Sequence, residues 1–236
     1  MENKKRILLK LTGNILRTAS GPELDSKHII NIINQIKKLK NSYNFGIVIG
    51  GGNIFRGRQQ GKKIGLSPAI GHQAGILATI INGLIIQNLF EQHDLDAILL
   101  SSIVCPQICD PISQEKIDQA LKHNNIIVFG GGTGAPFFST DTNAVIRALQ
   151  IEAKEVWKGT GIDGIYTADP VLDPQATTIK KMKYSAAISQ NLGILLDTTA
   201  LTLAEKHAIT IRVFNIFETN ALIKAAKSKD FGSLIS

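Results

Sequence analysis

Four glycine-rich segments carry the side chains best suited to chemistry. The first is Lys10-Leu11-Thr12-Gly13. A lysine there reaches a phosphate oxygen, while Thr12 and Gly13 let backbone N–H groups approach the same anion; the segment also reads as an ordinary strand end and turn. The second is Gly50-Gly51-Gly52-Asn53, followed by Arg56. Three bare residues in a row are entropically costly, and close approach of a phosphate is the usual need. Arg56 is spaced to clamp that phosphate with two parallel hydrogen bonds, and a flexible surface loop is the plainer alternative. The third runs Gly130-Gly131-Gly132-Thr133-Gly134-Ala135-Pro136-Phe137-Phe138-Ser139-Thr140-Asp141. Ser139 or Thr140 would cap a helix whose N-terminus faces an anion. The fourth contains Thr160, Tyr166 and Asp169. Tyr166 offers a face to a base and Asp169 an acceptor to a ribose, though Asp-Pro is also common turn punctuation.

These segments must be held by something, and the hydrophobic pattern supplies it. Apolar runs over residues 6–10, 45–49, 97–100, 126–129, 155–158 and 209–214 predict strands. Helical periodicity predicts helices over 26–39, 71–90, 113–122, 140–152, 196–207 and 221–226, with Asp25 capping the first. Strand alternating with helix gives an α/β fold with a mainly parallel sheet covered on both faces. Such sheets bind ligands at the carboxyl ends of their strands, where the glycines fall. No linker or repeat divides the 236 residues, so they read as one domain, and residues 159–178 read as a site loop.

Other classes are excluded by pattern. Gly130-x-Gly132 does not continue as a dinucleotide fingerprint, because Ala135 replaces the third glycine. Gly61-Lys62-Lys63 lacks the spacing and hydroxyl of a Walker loop. The net charge of +7 is scattered in short groups, and aromatic residues are 6%, which suits small anionic substrates better than nucleic acid. Thr79, Asn82, Gln87 and Asn88 interrupt the most apolar stretch, which reads as a buried helix and not a membrane span. Cys105 and Cys109 read either as a metal or redox pair or as two small half-buried residues, and such sparse cysteine usage suits a reducing cytoplasm.

The ordered set KLTG, VIGGGNIFRG, GHQAGILATIINGL, GGGTGAPFFSTDTNA, GIDGIYTADP and IRVFN resembles the bacterial uridylate (UMP) kinases of the amino acid kinase superfamily. The resemblance spans nearly the whole chain and implies a three-layer α/β/α sandwich, a homohexamer, and transfer of the ATP γ-phosphoryl group to UMP with Mg²⁺. It implies that Lys10, Leu11, Thr12, Gly13 and Gly52 hold ATP phosphates, and that Arg56 spans both phosphates. Thr160, Tyr166 and Asp169 would hold adenine and ribose. Gly51 and Thr133, Gly134, Ala135, Pro136, Phe137, Phe138, Ser139 and Thr140 would hold UMP. Asp141 would orient Lys10 or the water shell of the metal, with no protein ligand to the metal itself. His72 stands where the family usually has an aspartate against the UMP ribose, Asn14 replaces a glutamate, and Gly161 a lysine. Gly21 to Asp25 partly matches a segment tied to GTP activation, which leaves GTP and UTP as candidate effectors. Competing readings are a superfamily kinase for carbamate, acetylglutamate or aspartate, and a non-catalytic nucleotide-binding protein.

Overall fold

The computed structural model describes residues 4–18, 21, 23–168, 172–173, 175–189 and 196–236. Its strands are β1 (Lys5–Leu11), β2 (Tyr43–Ile49), β3 (Ala97–Ser101), β4 (Asp110–Pro111), β5 (Ile126–Gly130), β6 (Glu155–Thr160), β7 (Ile165–Tyr166), β8 (Thr178–Ile179), β9 (Lys181–Met182), β10 (Thr210–Asn215) and β11 (Ser233–Ile235). Its helices are α1 (Lys27–Leu39), α2 (Pro68–Glu91), α3 (Gln114–Lys122), α4 (Thr140–Gln150), α5 (Tyr184–Ser189), α6 (Thr198–Lys206) and α7 (Ala221–Lys227).

Nine strands form one sheet in the order β4-β3-β5-β2-β1-β6-β10-β11-β9. Neighbours run parallel except β10 and β11, which are antiparallel. Alternation along β1 sorts side chains between two faces. Ile7, Leu9 and Leu11 join α1, α2 and α7 in one core; Leu8 joins α3, α4, α5 and α6 in the other. The result is the expected three-layer α/β/α sandwich.

The predicted elements form with shifted ends. Ser26, not Asp25, occupies the cap position of α1, and Asp25 instead accepts from Lys27 N at 3.0 Å. α2 begins at Pro68, before the periodic pattern does: Ser67 caps Ile70 N, and proline at a first helical position loses no hydrogen bond. Within the predicted loop 159–178, β7 pairs antiparallel with β8. The short strands β9 and β11 carry no alternating run long enough to be read from sequence.

α2 is long and apolar enough to cross a membrane by composition. Its buried side, including Ala78, Ile80, Gly83, Ile86 and Phe90, lies on the sheet; its outer side exposes Ile70, Leu77, Ile81 and Leu84.

Candidate active site

The carboxyl ends of β5, β2, β1, β6 and β10 share one edge of the sheet because these strands are parallel neighbours. The glycine turns therefore stand side by side. They open onto a cavity of about 750 Å³ lined by Gly51, Gly52, Arg56, His72, Thr133, Ala135, Phe137, Phe138, Ser139, Thr140 and Asp141, among others. Of the residues expected at the site, Lys10 adjoins this cavity through Asp141. Leu11 is fully buried in the core, so only its backbone is available at the edge. Gly134 and Pro136 belong to the turn without lining the cavity. Thr160 and Tyr166 lie outside the cavity, at the β6 end and on β7. Asp169 lies outside the described residues, as does Pro22 of the segment compared with a GTP site.

Electrostatics concentrate at the first residues of α4. Lys10 of β1 and Lys158 of β6 are register partners on adjacent parallel strands. Period-2 alternation sends both toward α4 with Leu8 and Val156, while Leu9 and Trp157 enter the opposite core. Asp141 meets them there. Its Oδ1 is 3.1 Å from Lys10 Nζ, and its Oδ2 accepts from Lys158 Nζ at 2.5 Å. Burial alone would raise the Asp141 pKa, but Lys10 and Lys158 outweigh it and hold the carboxyl below its ordinary range. Burial, with the like charge of Lys10, pulls Lys158 down to about 8 despite the opposing pull of Asp141.

Lys158 was not singled out by motif. The available signal was a lysine inside the apolar run EVWKGT, at the position that pairs with Lys10. Asp197 was missed too. It caps α6 through Ala200 N at 2.9 Å, lines the cavity, and accepts hydrogen bonds from Ser139 Oγ and from Thr142 Oγ1, the latter at 3.0 Å. An aspartate directly before Thr198-Thr199 is a recognisable helix cap.

The glycines have reasons beyond ligand approach. A Cβ on Gly13 would come within 2.1 Å of Asn53 Oδ1 and 2.7 Å of Gly50 O, so the first two turns interlock only if residue 13 is bare. Asn53 and Asn82 then exchange hydrogen bonds at 3.1 and 2.7 Å, and Asn82 also holds Gly50 O at 2.8 Å. This ties the second turn to α2. Arg56, exposed on that turn, donates from Nε to Gly52 O at 3.1 Å.

On the third turn Gly131 has φ +75 and packs on Ser101 and Ser102. The Gly132 carbonyl accepts from Ser102 Oγ at 2.8 Å and from buried Arg147 at 3.1 Å. Ser139, and not Thr140, caps α4, accepting from Asp141 N and Thr142 N. Phe137 holds φ +74, an unusual strain for a bulky residue, and is 62% exposed. Its ring meets the half-buried His72 ring at 5.0 Å between centroids.

A deep carboxylate between two ammonium groups, beside a helix N-terminus and backbone turns, is suited to binding and neutralising phosphates. It is poorly suited to caging a metal. Asp141 is already paired with two lysines, and among the described residues no three His, Cys, Asp or Glu side chains cluster as a metal site would need. Magnesium characteristically keeps its waters and the phosphates of a nucleotide as ligands.

The sequence matches the amino acid kinase family over residues 5–215. The chain belongs to that family. This amino acid kinase family member is similar to the uridylate kinase of Mycoplasma genitalium, at 42% identity over 96% of this chain and 93% of that one. Its fold is similar to the crystal structure of UMP kinase from Ureaplasma parvum, at 34% identity, TM-score 0.92 and 99% coverage of both chains. It is also similar to the UMP kinase of Bacillus anthracis, at 31% identity and TM-score 0.93, covering 98% of this chain and 96% of that one.

Proposed function

We propose that the chain is a UMP kinase, transferring the γ-phosphoryl group of ATP to UMP to give ADP and UDP in pyrimidine nucleotide biosynthesis. The observation that carries this reading is the Lys10–Asp141–Lys158 cluster, whose Asp141 lines a cavity walled by glycine turns. The similarity to uridylate kinases over nearly the full length selects the acceptor.

A UMP phosphate oxygen attacks the γ-phosphorus in line as the bond to the β–γ bridging oxygen breaks. The attacking oxygen is already anionic, so no general base is needed, and catalysis consists of positioning and charge neutralisation. Asp141 keeps both lysines in place. Lys10 and Lys158 offset charge on the transferring group, and Arg56 spans donor and acceptor phosphates. Lys10 to Gly13 and Gly52 contact the ATP phosphates, while Thr160, Tyr166 and Asp169 contact adenosine. Gly51, His72 and residues 133–140 hold UMP. Mg²⁺ enters with ATP as the metal–nucleotide substrate.

The whole chain acts as a single amino acid kinase-like domain, in the cytoplasm, as a homohexamer; the apolar stripe left open on α2 supports self-association. GTP and UTP are candidate effectors. The test is an ADP-release assay with Mg·ATP across UMP, CMP, dUMP, carbamate, acetylglutamate and aspartate, repeated for UMP with GTP and UTP. Preferred turnover of UMP is expected. Preference for one of the acids, or nucleotide binding without turnover, overturns the proposal.

A further inference from the structure

Beyond β3 the chain makes a tight hairpin that the phosphoryl-transfer reading does not use. Cys105 and Cys109 form an antiparallel bridge pair, with Cys109 N donating to Cys105 O at 3.1 Å and Ile108 N to the same carbonyl at 2.9 Å. Bridge partners lie about 4.5–5.5 Å apart at Cα, inside the span that a disulfide closes. The two Sγ atoms stand 3.3 Å apart. Val104 and Ile108 are the outward residues, at 77% and 52% exposure, while both thiols are half-buried against the core. With no third metal-binding side chain grouped beside them among the described residues, the pair lacks the ligand set of a structural zinc site.

We propose that Cys105 and Cys109 are a redox modification site: a dithiol that a low-molecular-weight disulfide converts to an intrachain disulfide, weakening acceptor binding at the neighbouring turn. The Cys105 thiolate attacks one sulfur of the small disulfide, forming a mixed disulfide and releasing one small thiolate. Cys109 then loses its proton to solvent and attacks Cys105 Sγ, forming the Cys105–Cys109 bond and expelling the second small thiolate. Two electrons pass from the protein dithiol to the small disulfide, which leaves as two thiols. Burial, with the adjacent Cys105 thiol, raises the Cys109 pKa to about 12.

The coupling to the acceptor side is short. Ile103 N donates to Ser101 Oγ at 3.0 Å, Ser102 N to Gly130 O at 3.2 Å, and Ser102 Oγ to Gly132 O at 2.8 Å. On this proposal, drawing the sulfurs from 3.3 Å to covalent distance, about 2.0 Å, tightens the hairpin, and the three hydrogen bonds pass that constraint to the Gly130–Thr133 turn.

The kinetic part rests on the UMP kinase reading; the covalent part does not. The full chain is incubated with oxidised glutathione, then with dithiothreitol, and followed by intact mass, maleimide labelling and steady-state kinetics. The expected result is loss of two hydrogens, loss of both thiols from labelling, and full reversal. With it, KM for UMP should rise about threefold while KM for ATP stays constant. Cys105→Ser and Cys109→Ser should each gain a single glutathione adduct or none, and the double variant should show neither mass change nor KM shift. A mixed disulfide that never closes, bonds only between chains, or closure with an unchanged KM for UMP overturns the proposal. If UMP is not a substrate at all, the mass and labelling results alone decide the covalent site.

Discussion

At the residue scale, Lys158 carries the sharpest consequence. Its ordinary pKa of 10.5 falls to about 8 in the fold. Between those values the unfolded chain holds the proton more often than the folded one, so this group's contribution to stability grows as pH rises from about 8 to 10.5. On the proposed mechanism activity moves the opposite way, because the positive charge that Lys158 brings to the transferring group is lost there. The value of kcat/KM for Mg·ATP should fall above pH about 8, and Lys158→Arg, which stays charged, should remove that limb at a lower plateau. An unaltered alkaline limb in the variant would assign it to another group.

His72 belongs to the same scale. Its ring packs on Phe137 at the cavity wall, and in the proposed UMP pose a carboxylate there would accept hydrogen bonds from ribose hydroxyls. His72→Asp should lower KM for UMP several-fold with kcat little changed, as loss or gain of ground-state contacts does. A KM equal to or above that of the parent would remove His72 from the ribose contact.

At the element scale, the site depends on turns that interlock. Gly13→Ala places a methyl group where Asn53 Oδ1 and Gly50 O stand, so either the first turn or the Asn53–Asn82 pair must give way. The expected cost is about 1–3 kcal/mol, read as a lower Tm, together with a raised KM for both substrates. A stability and KM equal to the parent would show that the turns are not held in this geometry. The caps follow the same logic. Ser139 holds the first N–H groups of α4 and is itself held by Asp197, the cap of α6, so Asp141 is placed by a helix start tied to a second helix. Much of this was legible. Six strands and six helices stand where alternation and 3.6-residue periodicity put them, since those patterns record which face is buried. The helix ends and β9 and β11 were not, because caps compete over one or two residues and short strands are created by their neighbours.

At the scale of the whole molecule, the unresolved demand is the outer face of α2. Ile70, Leu77, Ile81 and Leu84 recur along one side and remain exposed, which is unfavourable in water unless another surface covers them. Ile81→Glu should lower the mass seen by sedimentation or light scattering, with the monomer fold kept by circular dichroism. An unchanged mass would place the assembly surface elsewhere.

The sequence by itself determined the α/β class, the mainly parallel sheet covered on both faces and the sheet edge where the glycine turns gather, because alternation and helical periodicity record which face of each element is buried. Only the tertiary structure decided what the glycines are for. Gly13 is bare to admit Asn53, and Gly131 to admit Ser102, as much as to admit a ligand. Only tertiary structure, too, could pair Lys10 with Lys158 across Asp141, since strand register joins residues 148 positions apart through contacts that no local pattern encodes.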